Sequence, residues 1–283
     1  MKVDYKVTKE SILKDYLLEI GLSRRFCRRV KLYGKIYLNN EEVKNFVTVK
    51  PNDIITLEYN ESENDDIIAN NNNLDIIYED EHILIINKPD GLASQPSRLH
   101  YENNVVSYVK AYFQSKNIQS NIHVVTRLDY QTSGLMIIAK DGYTHYLLTK
   151  ENIIDKKYKA IIEGLITPKD GFIDLPIARK EESTILREVN DCGKKAITEY
   201  KVIREFKDNT NKMYYSLLDI TLHTGRTHQI RVHFAHLGHP LIGDKLYGKE
   251  ANRLMLHCYY LSFINPYTNE NITVIKEPNF NIN

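Results

Sequence analysis

The residue best placed to do chemistry is an aspartate in a polar loop. Asp129 lies within the phrase TRLDYQTSG at 126–134, directly before an apolar run at 135–139. Loops that lead into rigid strands often carry functional groups, and a carboxylate there can act as a nucleophile or as a general acid or base. A reactive carboxylate beside Arg127 is one interpretation. An aspartate that only bonds its own turn is the other.

A second phrase, LHTGRTHQIRVH at 222–233, is dense in cations and hydrogen-bond donors. If Gly225 ends a strand and residues 227–236 form a helix, Arg231 lies one turn after Thr227 and on the same surface as His228. We therefore expect one helical face to reach one site.

Five histidines between residues 223 and 239 raise the alternative of a zinc-dependent hydrolase. Their spacing lacks the HExxH pattern and a cysteine partner, and catalytic zinc needs three defined ligands and an open position. The sequence therefore predicts no metal site, and insensitivity to chelators would exclude the hydrolase.

Composition limits the partners and the compartment. The formal net charge is +1, so any basic surface for nucleic acid must be local. Three cysteines lie far apart without a CxxC pair, which indicates neither a disulfide framework nor structural zinc. No apolar run is long enough to cross a bilayer, and residues 1–10 lack the core of a secretory signal. We expect a cytoplasmic protein without membrane contact.

Charge changes sign near the end of the first segment. Residues 1–59 carry 12 Lys and Arg against 8 Asp and Glu, whereas residues 60–81 carry 8 Asp and Glu and no Lys or Arg. The acidic stretch includes four consecutive asparagines at 70–73, a composition that buries too little apolar surface to fold by itself. We expect a flexible linker at 61–73 between a small module at 1–60 and a larger domain at 74–283. An asparagine expansion in a surface loop is the alternative, and it places the boundary near residue 70 as well.

The small module is predicted to contain two helices and a short sheet. Apolar residues recur at helical spacing over 12–20, Ser23 is suited to cap a second helix, and Asn39-Asn40 favours a hairpin turn. The second helix gathers four arginines near its start: Arg24, Arg25, Arg28 and Arg29. An RNA-binding face is our interpretation, and a merely solvated helix face is the alternative.

The larger domain mixes strands and helices. We predict strands at 74–78, 83–87, 158–163, 198–204, 214–222 and 261–264, and helices at 105–113 and 144–152. Successive strands without regular helical crossovers argue against a doubly wound parallel sheet. The fold class predicted is α+β.

Two resemblances follow from longer phrases. GLSRRFCRRVKLYGKIYLNNEEV and KPNDIITLE resemble the alpha-L RNA-binding module of a small-subunit ribosomal protein. Residues 74–266 resemble the RluA-like pseudouridine synthases through seven phrases in the family's order: IIYEDEHILIINKPDGL, TRLDYQTSGLMIIAK, KKYKAIIEG, GFIDLPI, GKKAITEYKVI, LHTGRTHQIRVHFAHLGHPLIGDKLYG and LMLHCYYLSFINP. The resemblance implies a mixed, mainly antiparallel sheet flanked by helices and loops, plus a small N-terminal alpha-L domain.

The same resemblance implies roles at matching positions. Asp129 falls on the catalytic aspartate, Arg231 on the arginine that pairs with it, and Tyr158 on the tyrosine that stacks against the target base. Arg127 falls on a loop arginine associated with base flipping, and Leu256 would line the pocket. Further RNA contacts are expected from Arg226, His228, Gln229 and the four N-terminal arginines.

The implied reaction is an isomerisation of uridine in structured RNA. It cleaves the N-glycosidic bond, turns the uracil and rejoins it through carbon, without cofactor or metal. Whether the carboxylate attacks sugar or base, or removes a sugar proton, stays open. We expect 23S ribosomal RNA or transfer RNA as partner, and a monomer. Thr126 and Gln95 stand where many family members have histidine. A non-catalytic RNA-binding protein with the same shell is the alternative.

Overall fold

The computed structural model describes residues 2–59, 66–150, 154–208 and 212–280. Within these ranges the chain packs as a small region, residues 2–59, and a larger one, residues 66–280. None of the described helices is long and apolar enough to cross a membrane.

Two short helices and a four-stranded sheet build the small region. Its elements are β1 (Lys2–Lys6), β2 (Ser11–Ile12), α1 (Leu13–Glu19), α2 (Arg24–Tyr33), β3 (Gly34–Leu38), β4 (Glu41–Glu42), β5 (Thr48–Val49) and β6 (Ile54–Tyr59). The sheet order is β1-β6-β3-β4, and β2 pairs with β5. Ser23 accepts a hydrogen bond from the Phe26 N–H at 3.1 Å, which confirms the predicted cap. Asn39 and Asn40, with φ of 50° and 72°, make the predicted hairpin turn.

The larger region is a mixed sheet with three helices. Its elements are β7 (Ile76–Glu79), β8 (Ile83–Lys88), α3 (Val105–Ser115), β9 (His123–Val124), β10 (Ser133–Ala139), α4 (Gly142–Lys150), β11 (Asp155–Glu163), β12 (Asp170–Asp174), β13 (Ile177–Arg179), β14 (Arg187–Val189), β15 (Ile197–Lys207), β16 (Tyr214–Leu222), α5 (Gln229–His236), β17 (Leu256–Ile264) and β18 (Asn271–Ile275). The predicted α+β class is confirmed.

Ten strands form the main sheet, in the order β12-β15-β16-β11-β17-β10-β8-β7, with β18 paired to β17 and β9 to β10. All of its pairs are antiparallel except β10 with β17. Strand β10 is buried along its whole length, as the continuous apolar run 135–139 requires. A rigid central strand therefore begins directly after the Asp129 loop.

Close packing fixes where that loop ends. Gly134 has φ of 117°, and a Cβ there would lie 2.3 Å from the Cys258 carbonyl oxygen of β17. Only glycine permits this approach. The TSG turn thus sets β10 against β17 and fixes the direction in which the preceding loop leaves the sheet.

The two regions meet at α4. The Tyr143 hydroxyl lies 2.5 Å from the Tyr5 hydroxyl, and the Tyr143 ring packs 5.6 Å from Phe26. The small region is therefore packed on the larger one through aromatic side chains.

The asparagine run corrects one expectation. Residues 60–65 lie outside the described residues, but residues 66–73 pack against α3. Asn70 donates from its backbone N–H to Ser107 O at 3.0 Å, and Asn72 Nδ2 donates to the Tyr108 hydroxyl at 3.0 Å. This part of the predicted flexible linker is therefore bonded to α3, through the Asn70 backbone and the Asn72 side chain, and composition alone does not reveal such hydrogen bonds.

Candidate active site

The Asp129 loop lies between β9 and β10 and is hydrogen-bonded on both sides. Ser94 Oγ donates to Leu128 O at 2.6 Å and accepts from Leu128 N–H at 3.2 Å. Thr126 Oγ1 accepts from Ile137 N–H at 2.9 Å, so threonine at this position bonds the neighbouring backbone. The carboxylate is presented on a rigid support.

A buried lysine holds the same loop from below. Lys88 Nζ donates to three carbonyls, those of Pro89 at 2.7 Å, Leu92 at 2.8 Å and Tyr130 at 3.2 Å. Burial lowers the pKa of Lys88 to about 7, against the opposing effect of Asp90 and Asp129. These three carbonyls match the three N–H donors of the ammonium form, so all of its donors are engaged beneath the Asp129 loop.

The two phrases singled out in the sequence line one pocket of about 710 Å³. Asp129 lies on its wall, and its side chain is 31% exposed. The other predicted site residues on the wall are Arg127, Tyr158, Arg226, His228, Gln229, Arg231 and Leu256. The fold thus brings together residues that lie about a hundred positions apart in the sequence.

His228 is the neighbour of the carboxylate. Its Nε2 lies 4.0 Å from Asp129 Oδ2, and it adopts φ of 58° just before α5. Burial lowers the pKa of His228, although Asp129 opposes this. The Tyr247 hydroxyl lies 2.8 Å from His228 Nδ1 and accepts from Arg187 N–H at 2.9 Å. When Tyr247 donates to Nδ1, the neutral ring carries its hydrogen on Nε2, toward Asp129.

Arg231 requires a correction. It was expected to pair with Asp129, but its buried guanidinium pairs with Asp244: Nε to Oδ2 at 2.8 Å and a terminal nitrogen to Oδ1 at 2.5 Å. Asp244 is fully buried and lies in the loop after α5, so the bidentate pair is shielded from solvent. Among the described residues, Gln131 of the Asp129 loop accepts a hydrogen bond from Arg231 at its Oε1, at 3.2 Å. Arg231 therefore contacts the loop without pairing with the Asp129 carboxylate.

The floor of the pocket is apolar and aromatic. Tyr158, in the middle of β11, is 5% exposed, and burial raises its pKa well above the ordinary value, so it is a neutral phenol. Leu256 of β17 and Ile230 of α5 complete the wall. A flat ring can lie against such a floor.

One polar group in the pocket has no use within the described structure. The hydroxyl of Thr132 is buried, and no described residue hydrogen-bonds to it. A buried hydroxyl without a partner costs about 1–3 kcal/mol. A bound ligand can supply the missing partner.

Gln229 requires a second correction, because its side chain is fully engaged by the protein. Its Oε1 accepts from Thr224 Oγ1 and from Arg226 N–H, and its Nε2 donates to Ile197 O and Thr198 Oγ1. This leaves none of its four hydrogen-bonding positions for RNA. Arg226 and Arg127, by contrast, are exposed at the rim.

The histidines of the second phrase diverge instead of meeting. His223 bonds Glu199, His233 bonds Thr198 and Leu175 O, and His239 bonds Glu163 O. Across the described ranges, no three His, Cys, Asp or Glu side chains are grouped as a metal site would need.

The N-terminal arginines separate into two places. Arg24 and Arg28 are exposed and line a groove of about 540 Å³ with Lys14, Lys31 and Phe46. Arg29 lies over the Tyr59 ring at 5.5 Å instead. The side chain of Arg25 lies outside the described part of the chain.

Three residues of this site were not singled out from the sequence: Lys88, Asp244 and Tyr247. Each lies inside a phrase that had been noted for its turn or its resemblance. A buried arginine needs a buried acid as its partner. The available signal was therefore Asp244, the acid within GDKLYG.

The chain is similar to known proteins over most of its length. Residues 82–236 match the family model described as RNA pseudouridylate synthase. A Bacillus subtilis protein named uncharacterized RNA pseudouridine synthase YjbO is 37% identical over 268 residues, covering 92% of this chain and 93% of its own. Ribosomal large subunit pseudouridine synthase D of Pseudomonas aeruginosa is 33% identical, covering 78% of this chain and 75% of its own.

Among solved structures, human RNA Pseudouridylate Synthase Domain Containing 1 aligns with a TM-score of 0.62 at 24% identity, covering 74% of this chain and 85% of that one. This likeness concerns the fold.

Proposed function

The chain belongs to the RNA pseudouridylate synthase family, an isomerase family acting on RNA, and from this premise we propose that it isomerises uridines of structured ribosomal RNA with Asp129 as the catalytic carboxylate. The observation that carries the proposal is the placement of Asp129 on a rigid loop in a pocket, 4.0 Å from His228. The isomerisation of uridine needs one positioned, ionised carboxylate.

The surroundings of the Asp129 carboxylate differ before and after RNA covers the pocket. Its side chain is 31% exposed in the open pocket, so water solvates it before RNA binds. The Lys88 side chain lies beneath the loop, and when Tyr247 donates to His228 Nδ1, the Nε2 hydrogen of His228 faces the carboxylate. When RNA covers the pocket and water leaves, the His228 ring still faces the carboxylate, whereas the Lys88 donors stay on the backbone carbonyls of the loop.

The target uridine must leave its stack before the glycosidic bond is reachable, at a cost of about a few kcal/mol. Tyr158 offers an aromatic face at the pocket floor, and stacking on such a face is worth about 1–3 kcal/mol per base. The exposed guanidinium of Arg127 at the rim can occupy the vacated place in the stack or hold phosphate. We assign the unpartnered hydroxyl of Thr132 to the flipped nucleotide.

We propose large-subunit (23S) ribosomal RNA as the substrate. Relatives that are named for the ribosomal large subunit, such as that of Pseudomonas aeruginosa, support this choice. Transfer RNA is the alternative that substrate mapping separates. The groove lined by Arg24 and Arg28 supplies a second, non-catalytic contact to RNA phosphates, and we place the protein in the cytoplasm as a monomer.

Tritium release tests the proposal. When uracil carbon 5 bonds to the sugar, its hydrogen is lost, so RNA transcribed with 5-tritiated uridine reports each turnover. We expect release with wild-type protein and none with Asp129→Asn, which removes the charge at constant shape. The variant should bind the RNA normally. Release by Asp129→Asn near the wild-type rate would overturn the assignment.

A further inference from the structure

A second basic groove adjoins the active-site pocket. It measures about 480 Å³. The two-stranded ribbon β13–β14, the turn before β15 and the loop that precedes α5 form its walls. Four of the described residues that line it are cations, Arg179, Arg187, Lys194 and Arg226, and none of those lining residues is acidic.

Two of these arginines face each other across the ribbon. Arg179 and Arg187 are direct partners in the β13–β14 register, so both side chains leave on the same face. Like charges directly opposite repel each other. Glu188, the acid of β14, is paired with Ala178 and therefore points to the opposite face. The register thus places two cations together and directs the neighbouring acid away.

Backbone carbonyls hold the guanidinium groups in place. Arg179 Nε donates to Ser183 O at 2.8 Å, and Arg226 Nε donates to Lys195 O at 2.9 Å. Arg187 donates from one terminal nitrogen to Ile185 O and Leu186 O. A guanidinium has five N–H donors, so each arginine keeps donors for a ligand while its position is fixed. Neutral carbonyls orient the charge without cancelling it.

The groove is continuous with the pocket that holds Asp129. Gly225, Arg226 and Thr227 line both. Tyr247 also joins them, because its hydroxyl accepts from the backbone N–H of Arg187 and contacts His228. An RNA strand with one nucleotide in the pocket would therefore place its next phosphates against the β13–β14 ribbon.

We propose that this groove is a phosphate subsite, in which Arg179 and Arg187 clamp one backbone phosphate of the RNA next to the flipped nucleotide. The inference rests on the proposed function and adds where the flanking strand runs. A phosphate offers the oxygen acceptors and the negative charge that the clamp lacks, and such a contact sets register without reading sequence.

Salt dependence of binding tests the clamp. The probe is a short fluorescein-labelled oligouridine, and its affinity is measured over a salt series by anisotropy. For single strands, each phosphate contact contributes about 0.7 to the slope of log affinity against log salt. We expect Arg179→Gln with Arg187→Gln to lose about 0.7 of the slope. The matched control, Arg204→Gln with Lys207→Gln on β15, removes the same charge outside the groove and should keep the slope.

Cys192 gives an independent readout, because it is exposed and lines the groove. Oligouridine should slow maleimide modification of Cys192 in the wild type and in the β15 control, but not in the double arginine variant. The thermal midpoint of that variant should be unchanged or raised, since a repulsion is removed.

The outcomes separate the two proposals. Suppose that the wild-type protein releases tritium. If the double arginine variant then keeps the wild-type slope, and oligouridine does not protect Cys192 of the wild type, the subsite is overturned and the proposed function stays intact. Absence of tritium release from the wild type would overturn the proposed function, whatever the slope.

Discussion

Replacing Asp244 by asparagine should destabilise the protein strongly, because it leaves the charge of Arg231 buried without a counter-ion. The two side chains are 0% and 2% exposed, and two charge-assisted hydrogen bonds join them. Asparagine keeps the shape, so no cavity is added. Breaking a buried pair costs about 3–5 kcal/mol. The Tyr247 ring, 5.3 Å from the guanidinium, and Gln131 remain, which places the cost near the lower end.

For a chain of this length, the unfolding entropy of about 0.6 kcal/mol/K converts about 3 kcal/mol into a fall of about 5 °C in the thermal midpoint. Calorimetry and urea unfolding measure it. Glu205→Gln, which breaks the exposed pair with Lys169, is the matched control and should cost less than about 1 kcal/mol. Asp129→Asn should also cost little. Equal losses in Asp244→Asn and Glu205→Gln, or a larger loss in Asp129→Asn, would refute the pairing.

Three further predictions concern the pocket and its support. Thr132→Val should leave stability unchanged or raised, because a buried hydroxyl without a partner is removed, and should slow tritium release; Thr132→Ser should restore it, and equal rates in all three proteins would argue against the role. Tyr158→Leu should slow turnover by about 5- to 150-fold, the equivalent of about 1–3 kcal/mol of stacking, whereas Tyr158→Phe keeps the ring and most of the rate in single-turnover assays. Burial lowers the pKa of His257 from 6.5 to about 4. The unfolded chain therefore takes up a proton below pH 6.5 and the folded chain only below about 4, so stability is lost as pH falls through this window, by up to about 3 kcal/mol, and urea unfolding of His257→Gln should show a smaller loss.

The sequence predicted the position of the Asp129 loop because the pattern that marks it is local, although the strand that Gly134 approaches is distant in the chain. The apolar run at 135–139 requires a buried strand, and the TSG turn before it supplies the glycine that the β10–β17 approach needs. The helix cap at Ser23 and the hairpin at 39–40 were predictable for the same reason. Each depends on residues within a few positions of one another.

The sequence did not indicate which acid pairs with Arg231. Asp129 and Asp244 are both acids in quoted phrases, and spacing along the chain does not say which one the fold brings to a buried guanidinium. The expected RNA contact of Gln229 was wrong for a related reason. Spacing places Gln229 on one face of α5, and only the packed structure shows that this face meets β15.

Two other differences also have physical causes. Helix α5 begins at Gln229, two residues later than predicted, because His228 adopts φ of 58°, a conformation that residue type alone does not indicate. The acidic, asparagine-rich composition indicated a free tether, yet Asn70 and Asn72 bond α3. Composition measures the apolar area that a segment can bury, whereas these contacts are polar.

The most direct measurement is pseudouridine mapping of ribosomal RNA from cells that lack this protein and are complemented with either wild type or Asp129→Asn, expressed at equal levels. The account predicts at least one large-subunit site that disappears without the protein, returns with the wild type and stays unmodified with Asp129→Asn. Restoration of that site by Asp129→Asn would contradict the catalytic role of the carboxylate.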